Sequence, residues 1–255
     1  MPTDAISPAD QLPARTAVIW AALDPLVRSG TPLRVLDVGG GSGMFAVPLA
    51  RLGHDITVVD PSADALATLR RRAETAGVGN RVRGIQGDGD LLHEVLPAAI
   101  DGQGADPAAA GFDLALCHSV LEVVDDPAVT LREISGALRP GGQVSVATAN
   151  QAGAVLARAL SGHPVEALGL LTDRHPVPGR GRPEPRRFAP ADLLVLVEEA
   201  GLRPGPWRGL AVVADLIEAS SGAAPAAIRA LEIALADTSP YRDIATGLHL
   251  LAVRP

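Results

Sequence analysis

Short apolar runs alternate with stretches of helical periodicity through the first 150 residues, a rhythm that predicts strands joined by crossover helices and hence a parallel sheet. Leu33–Val38 reads as a first buried strand and His54–Val59 as a second, with a helical segment over Met44–Leu52 between them. Leu66, Leu69, Ala73 and Ala76 fall on one face of a helix over Ala63–Ala76, which Gly77 ends. Arg81–Gln86 is the third strand and Phe112–Cys117 the fourth. Asp126 and Pro127 then open a helix to Leu138, as N-cap and first helical residue. A tight turn is predicted at Arg139–Gly142 and a fifth strand at Gln143–Thr148, whereas Pro97–Gly111 lacks periodicity and reads as a surface loop.

The last hundred residues follow another pattern. Helices are predicted over Ala152–Leu160, Ala191–Ala200 and Ala224–Ala236, a Pro- and Arg-rich loop over about Gly162–Arg187, and closing strands over Trp207–Val213 and Gly247–Val253. The fold class that follows is α/β: a doubly wound, Rossmann-like sheet with helices on both faces, an extra N-terminal helix and C-terminal closing strands. With no repeat and no second core in view, the chain reads as one domain over 1–255, made of an N-terminal helix region (1–30), a core (31–150) and a substrate-side part that completes the sheet (151–255).

Composition narrows the chemistry. The 22 basic residues are all Arg, against 29 acids, for a net charge of −7. The absence of lysine removes Schiff-base chemistry and the P-loop. The acidic balance excludes general polyanion binding, and aromatic residues at 2% make base-stacking platforms scarce. One cysteine, Cys117, allows no internal disulfide, and no leader or membrane-length apolar run is visible, so a cytoplasmic protein is expected. His54, His93, His163, His175 and His249 are scattered without metal-ligand spacing, and no metal is expected.

The strongest motif is the run Val35-Leu36-Asp37-Val38-Gly39-Gly40-Gly41-Ser42-Gly43 between a strand and a helix. Glycines let the backbone approach a ligand closely, and the helix behind them offers free N–H groups. A dinucleotide fingerprint and a nucleophile elbow both require glycine where Met44 stands. The spacing that fits is acid-x-G-x-G-x-G, with Asp37, Gly39, Gly41 and Gly43. Asp60 follows at the end of the second strand, where a carboxylate can accept from both ribose hydroxyls, and Gln86-Gly87-Asp88-Gly89 follows the third. A tight turn capped by an ordinary helix acid, or a nicotinamide-dependent dehydrogenase, are the competing readings.

This arrangement resembles class I S-adenosylmethionine-dependent methyltransferases. Further runs narrow the likeness: Arg15–Asp24, Cys117–Pro127, Thr148-Ala149-Asn150, Leu193–Gly201 and the ending from Ser239-Pro240-Tyr241 to Pro255 are similar to the bacterial tRNA 5-carboxymethoxyuridine methyltransferases, which methylate a carboxylate on a wobble uridine. The resemblance implies S-adenosyl-L-methionine as cofactor, held by Arg15, Asp37, Gly39, Gly40, Gly41, Gly43, Asp60, Asp88, Gly89 and His118. In this picture Arg15 pairs with the methionine carboxylate, Asp88-Gly89 meets the adenine, and His118 has a positioning role, with no certain catalytic residue. Their alternatives are a solvated Arg and a packed histidine. Cys117 lacks the context of a nucleophile and reads as a small buried hydrophobe.

Arg174, Arg180, Arg182, Arg186 and Arg187 form a basic island in an acidic chain, suited to tRNA phosphates or simply to a solvated loop. Two departures from the family pattern bear on the acceptor: a shortened segment ahead of the first helix, and Gly247-Leu248 where the family has an Arg-Tyr pair. The function expected is methyl transfer to a carboxylate or oxygen on a tRNA wobble uridine. The alternatives are O-methylation of a small-molecule carboxylate or hydroxyl, and a catalytically silent cofactor-binding protein. Neither a membrane partner nor a particular oligomeric state is indicated.

Overall fold

Val35, Leu36, Val38, Ile56, Val58, Val59, Leu114 and Leu116 are all buried, and the apolar runs they belong to form neighbouring parallel strands, as expected for a sheet covered on both faces. The computed structural model describes residues 13–96, 111–172, 185–215 and 224–255. In it the chain divides into two compact units, one comprising Leu26–Thr148, Ala191–Pro206 and Leu250–Pro255, the other the residues up to Pro25 with Ala149–Pro190 and Trp207–His249.

The first unit holds β1 (Arg34–Val38), α2 (Ala46–Arg51), β2 (Asp55–Asp60), α3 (Ala63–Thr75), β3 (Val82–Gln86), the short α4 (Leu92–Val95), β4 (Phe112–His118), α5 (Pro127–Ala137) and nearly all of β5 (Leu138–Ala149). Helix α1 (Ala17–Val27) precedes them. The parallel strands run β3-β2-β1-β4-β5, so the winding reverses between β1 and β4. Beyond β5 lie β8 (Gly247–Val253) and then β6 (Arg203–Pro204), antiparallel to β8. Register places one set of strand ends together: Val38 is level with Val59 and Cys117, and Asp60 with Gln86.

Local chemistry starts and stops the helices. Ser62 caps α3 by accepting from the Ala65 N–H at 3.2 Å, and α3 turns Leu66, Leu69 and Ala73 inward. Asp126 caps α5, accepting from Ala128 N at 2.8 Å and Val129 N at 3.2 Å, with Pro127 first in the helix. His54 is buried as a two-sided connector: its Nδ1 lies 3.1 Å from Leu33 N and its Nε2 2.9 Å from Val27 O. Burial lowers its pKa, in keeping with a neutral ring that accepts at one nitrogen and donates at the other.

Three expectations are corrected. The turn at Arg139–Gly142 is part of β5. Phe112 pairs with Leu138 but Leu114 with Gln143, so these four residues bulge opposite a single residue of β4, with Gly141 at φ +74°. The loop predicted from Gly162 contains a helix, α7 (Pro164–Thr172), started by proline at its first position and packed on α6 (Gln151–Leu160). The strand predicted over Trp207–Val213 is only β7 (Arg208–Leu210). Its continuation is taken by Glu232, fully buried on α9 (Pro225–Leu235), whose carboxylate accepts from the N–H groups of Val212, Val213 and Ala214 at 2.9, 2.7 and 2.6 Å. Remaining predicted elements lie within a residue or two of those observed, including α8 (Pro190–Glu199). The loop Pro97–Gly111 lies outside the described residues except for Gly111.

The second unit is secured by Asn150. Its side chain is buried, donates to the carbonyls of Asp243 (3.1 Å) and Ala245 (2.8 Å), and accepts from Ala152 N as the cap of α6. Asn150→Ala removes the cap and leaves buried carbonyls without their donor. It is expected to lower unfolding stability by about 3 kcal/mol, read as a shifted denaturant midpoint; a midpoint within error of the parent would refute this account.

Candidate functional site

The glycine loop leaves β1 where Gly39 N donates to Val59 O at 2.7 Å, so the loop starts level with the end of β2. There the Asp60 carboxylate takes two backbone N–H groups, Gly41 on Oδ2 and Ser62 on Oδ1, both at 2.9 Å. One side chain thus shapes both the loop and the entry to α3. A carboxylate has about four acceptor positions, so two N–H bonds leave capacity for a vicinal diol.

Close packing explains the glycines. At Gly40 a Cβ would stand 2.4 Å from the carboxyl carbon of Asp37, and at Gly39 it would stand 2.4 Å from Val120 Cγ2. Gly43 is blocked by Leu69, while at Gly41 the nearest atom to an added Cβ is Asp60 Oδ2, 3.7 Å away. The loop's backbone at Gly41 is therefore the part open toward a ligand.

Asp37 is 3% exposed, and its Oδ2 has no hydrogen-bond partner among the described residues. Burial, and secondarily the charge of Asp60, raise its pKa to about 7. A buried acceptor lacking a donor, next to a second carboxylate, is an environment that favours a cationic ligand group. His118 ends β4, with Nε2 2.8 Å from Ser145 Oγ and its ring edge-on to Phe45 at 4.6 Å between centroids. Burial pushes its imidazole down to about 3, so it is neutral near pH 7. Ser119 beside it holds φ +57°, a conformation side chains rarely adopt, with its N–H on Ala147 O at 2.8 Å. Desolvation pushes the Cys117 thiol above its usual range, with Glu122 and Asp37 adding to the shift, which suits a packed and unreactive cysteine.

The turn after β3 completes the site: a Cβ at Gly89 would lie 3.0 Å from Val38 Cγ1, directly before the loop. The first unit therefore brings together Asp37, Gly39, Gly40, Gly41, Gly43, Asp60, Asp88, Gly89 and His118 around the ends of β1, β2, β3 and β4, at the point where the winding reverses. Arg15 belongs to the second unit, where it makes a two-point ion pair with Asp215, Nε–Oδ1 and Nη2–Oδ2 each at 2.7 Å. Arg186 and Arg187 are described and each has partners. Arg174, Arg180 and Arg182 lie outside the described residues.

Sequence reasoning passed over Val120, Phe45 and Ser145. Ser145 had a signal, as the one polar residue between Val144 and Val146 in a buried strand; Val120 and Phe45 had none. Among the described residues no group of His, Cys, Asp and Glu is arranged to hold a metal ion, and no helix is long and apolar enough to cross a membrane.

The site fits the cofactor that the family resemblance implies: an ordered carboxylate for ribose hydroxyls, an open glycine backbone, and a buried acidic group with one oxygen lacking a donor among the described residues. Comparisons agree. The family model for a methyltransferase domain matches residues 13–204. The tRNA 5-carboxymethoxyuridine methyltransferase of Escherichia coli is 28% identical over 253 residues, 94% of this chain and 88% of that protein. A ubiquinone biosynthesis O-methyltransferase of Xanthomonas axonopodis is 29% identical over 215 residues, 81% of this chain and 79% of that one. In fold, the magnesium protoporphyrin IX methyltransferase of Synechocystis, solved with bound SAH, matches with a TM-score of 0.55 at 16% identity, covering 95% of this chain and 82% of the other.

Asp37 also gives the site a pH signature. Its folded pKa of about 7 exceeds the ordinary carboxylate value of 3.8, so the protonated form is the one favoured by folding. Its contribution is full at acid pH and is lost as pH rises through about 7. Asp37→Asn should therefore gain stability relative to the parent, by on the order of a few kcal/mol, between about pH 5 and pH 8, as read by unfolding across that range. A difference independent of pH would contradict the assignment.

Proposed function

The chain belongs to the methyltransferase-domain family and is an S-adenosylmethionine-dependent methyltransferase, and we propose that it transfers the methyl group to a carboxylate or oxygen on the wobble uridine of a tRNA. The observation that carries this reading is the likeness to the tRNA-modifying relative along 94% of the chain. The protonation state of the site supports the carboxylate in particular.

Bound in the site, the cofactor supplies an electrophilic methyl group on a sulfonium. The chain's own residues divide the work of holding it. Asp60 accepts the ribose hydroxyls, the Gly39–Gly43 backbone lies along the amino-acid part, Asp88 and Gly89 meet the adenine, and Asp37 provides negative potential beneath the loop. Arg15, whose planar fork suits a carboxylate, uses it on Asp215 within the second unit.

A carboxylate acceptor is ionised near neutral pH and needs alignment rather than deprotonation. His118, with its imidazole pushed down to about 3, is a weak base and serves to position groups by hydrogen bonding. A hydroxyl acceptor would call for a stronger base. The second reading, O-methylation of a small molecule, is favoured by the 29% identity to the ubiquinone-pathway enzyme. A cytoplasmic site of action accompanies the tRNA reading.

Incubation with methyl-labelled S-adenosylmethionine and fractionated cell extract should place label in tRNA, released by mild alkali as expected of an ester. Label confined to small metabolites would replace the tRNA reading with the second one. Replacing Arg180, Arg182, Arg186 and Arg187 with alanine should weaken tRNA binding and lower the slope of log affinity against log salt by up to about 4 if all contact phosphate. An unchanged slope in a binding titration would take phosphate contact away from this loop.

A further inference from the structure

The Asp88–Leu91 turn is short, and its own hydrogen bonding is slight. Leu91 N donates to Asp88 O at 3.2 Å, and the Asp88 side chain makes no capping bond. The turn is instead suspended from its neighbours. On the strand side, Gly87 N donates to Asp60 O at 3.3 Å. On the other side stands α5. Thr130, fully buried, directs its hydroxyl at Asp90 Oδ1, and its methyl group lies 3.2 Å from where a Cβ on Gly89 would be. One turn further along the same helix face, Glu133 Oε2 accepts from the backbone N–H of His93 at 2.8 Å and lies 2.8 Å from its Nδ1.

The Thr130 hydroxyl has a second acceptor within reach, the Asp126 carbonyl one helical turn back at 3.2 Å. That contact is the ordinary local option of a helical threonine. It has one proton to give, and a carboxylate is the stronger acceptor. The hydroxyl is therefore committed to the turn rather than to its own helix. Its methyl group and Val38 close on Gly89 from two sides, fixing the turn's distance from the glycine loop.

We propose that Thr130 and Glu133 are positioning residues for base recognition: they hang the Asp88–Leu91 turn from α5 so that the exposed Asp88 and the backbone at Gly89 read the adenine edge of the cofactor. This rests on the reading that the turn meets adenine, and the experiment separates the two. The contacts of Thr130 and Glu133 are with the turn and the residues that follow it, so each acts through the turn.

The test measures binding of S-adenosylhomocysteine and of its deaminated counterpart, S-inosylhomocysteine, by calorimetry, alongside KM for S-adenosylmethionine, kcat and the melting temperature of the free protein. The panel is the parent, Thr130→Val, Thr130→Ser, Glu133→Gln and Asp88→Ala. Thr130→Val keeps the shape and removes the hydroxyl. It should weaken S-adenosylhomocysteine about tenfold, raise KM in parallel, leave kcat within about twofold, and reduce the preference for adenine over hypoxanthine. Thr130→Ser should restore most of that preference, and Glu133→Gln should fall between them.

If Asp88→Ala and Thr130→Val both leave the base preference at the parental value, the adenine reading of the turn fails and the proposal with it. If Asp88→Ala reduces the preference while Thr130→Val only lowers the melting temperature, the turn keeps its role and the positioning role of Thr130 is overturned.

Discussion

One carboxylate organises the candidate site. Asp60 ends a buried strand and spends an oxygen each on the N–H groups of Gly41 and Ser62, so the loop leaving β1 and the helix following β2 share a common anchor. Register comes first, because Gly39 N can reach Val59 O only when β1 and β2 are paired as they are. The site is thus a consequence of strand alignment rather than an addition to it. A slip by one residue would turn Asp60 to the other face of the sheet.

Electrostatics then distinguishes two acids that look alike in sequence. Asp60 is satisfied by backbone donors, whereas Asp37 is enclosed, lacks a donor at Oδ2 and is held near neutrality. Burial and the neighbouring charge of Asp60 raise the Asp37 pKa to about 7, so this carboxyl keeps its proton up to near neutral pH. His118 is neutral for the same reason with the shift reversed in direction: burial disfavours its cation.

Much of this was legible in the chain. Short continuous apolar runs and helix caps located the strands and crossover helices of the core, because burial on both faces favours apolar residues at successive positions. The acid-glycine spacing located the loop, and Asp60 followed from its place at the end of a strand. What was hidden depended on distant partners. Nothing local to Trp207–Val213 announces that Glu232, some twenty residues on, removes its donors from the sheet. Arg139–Gly142 carries true turn chemistry, which the structure uses for a bulge inside β5. Thr130 reads as an unremarkable helical residue until the turn it faces is placed.

The close contact between Asp37 and Gly40 has a meaning for descent. Gly39, Gly41 and Gly43 have positive φ, but Gly40 is not among the residues with that backbone. The three atoms nearest to where its Cβ would be all belong to the Asp37 carboxyl group, the closest at 2.4 Å. The two positions are therefore a linked pair: a lineage that shortens residue 37 releases residue 40 from glycine, whereas a change at 40 that comes first meets the acid. Drift at this site has a permitted order, written in the space between one carboxylate and one missing methyl group.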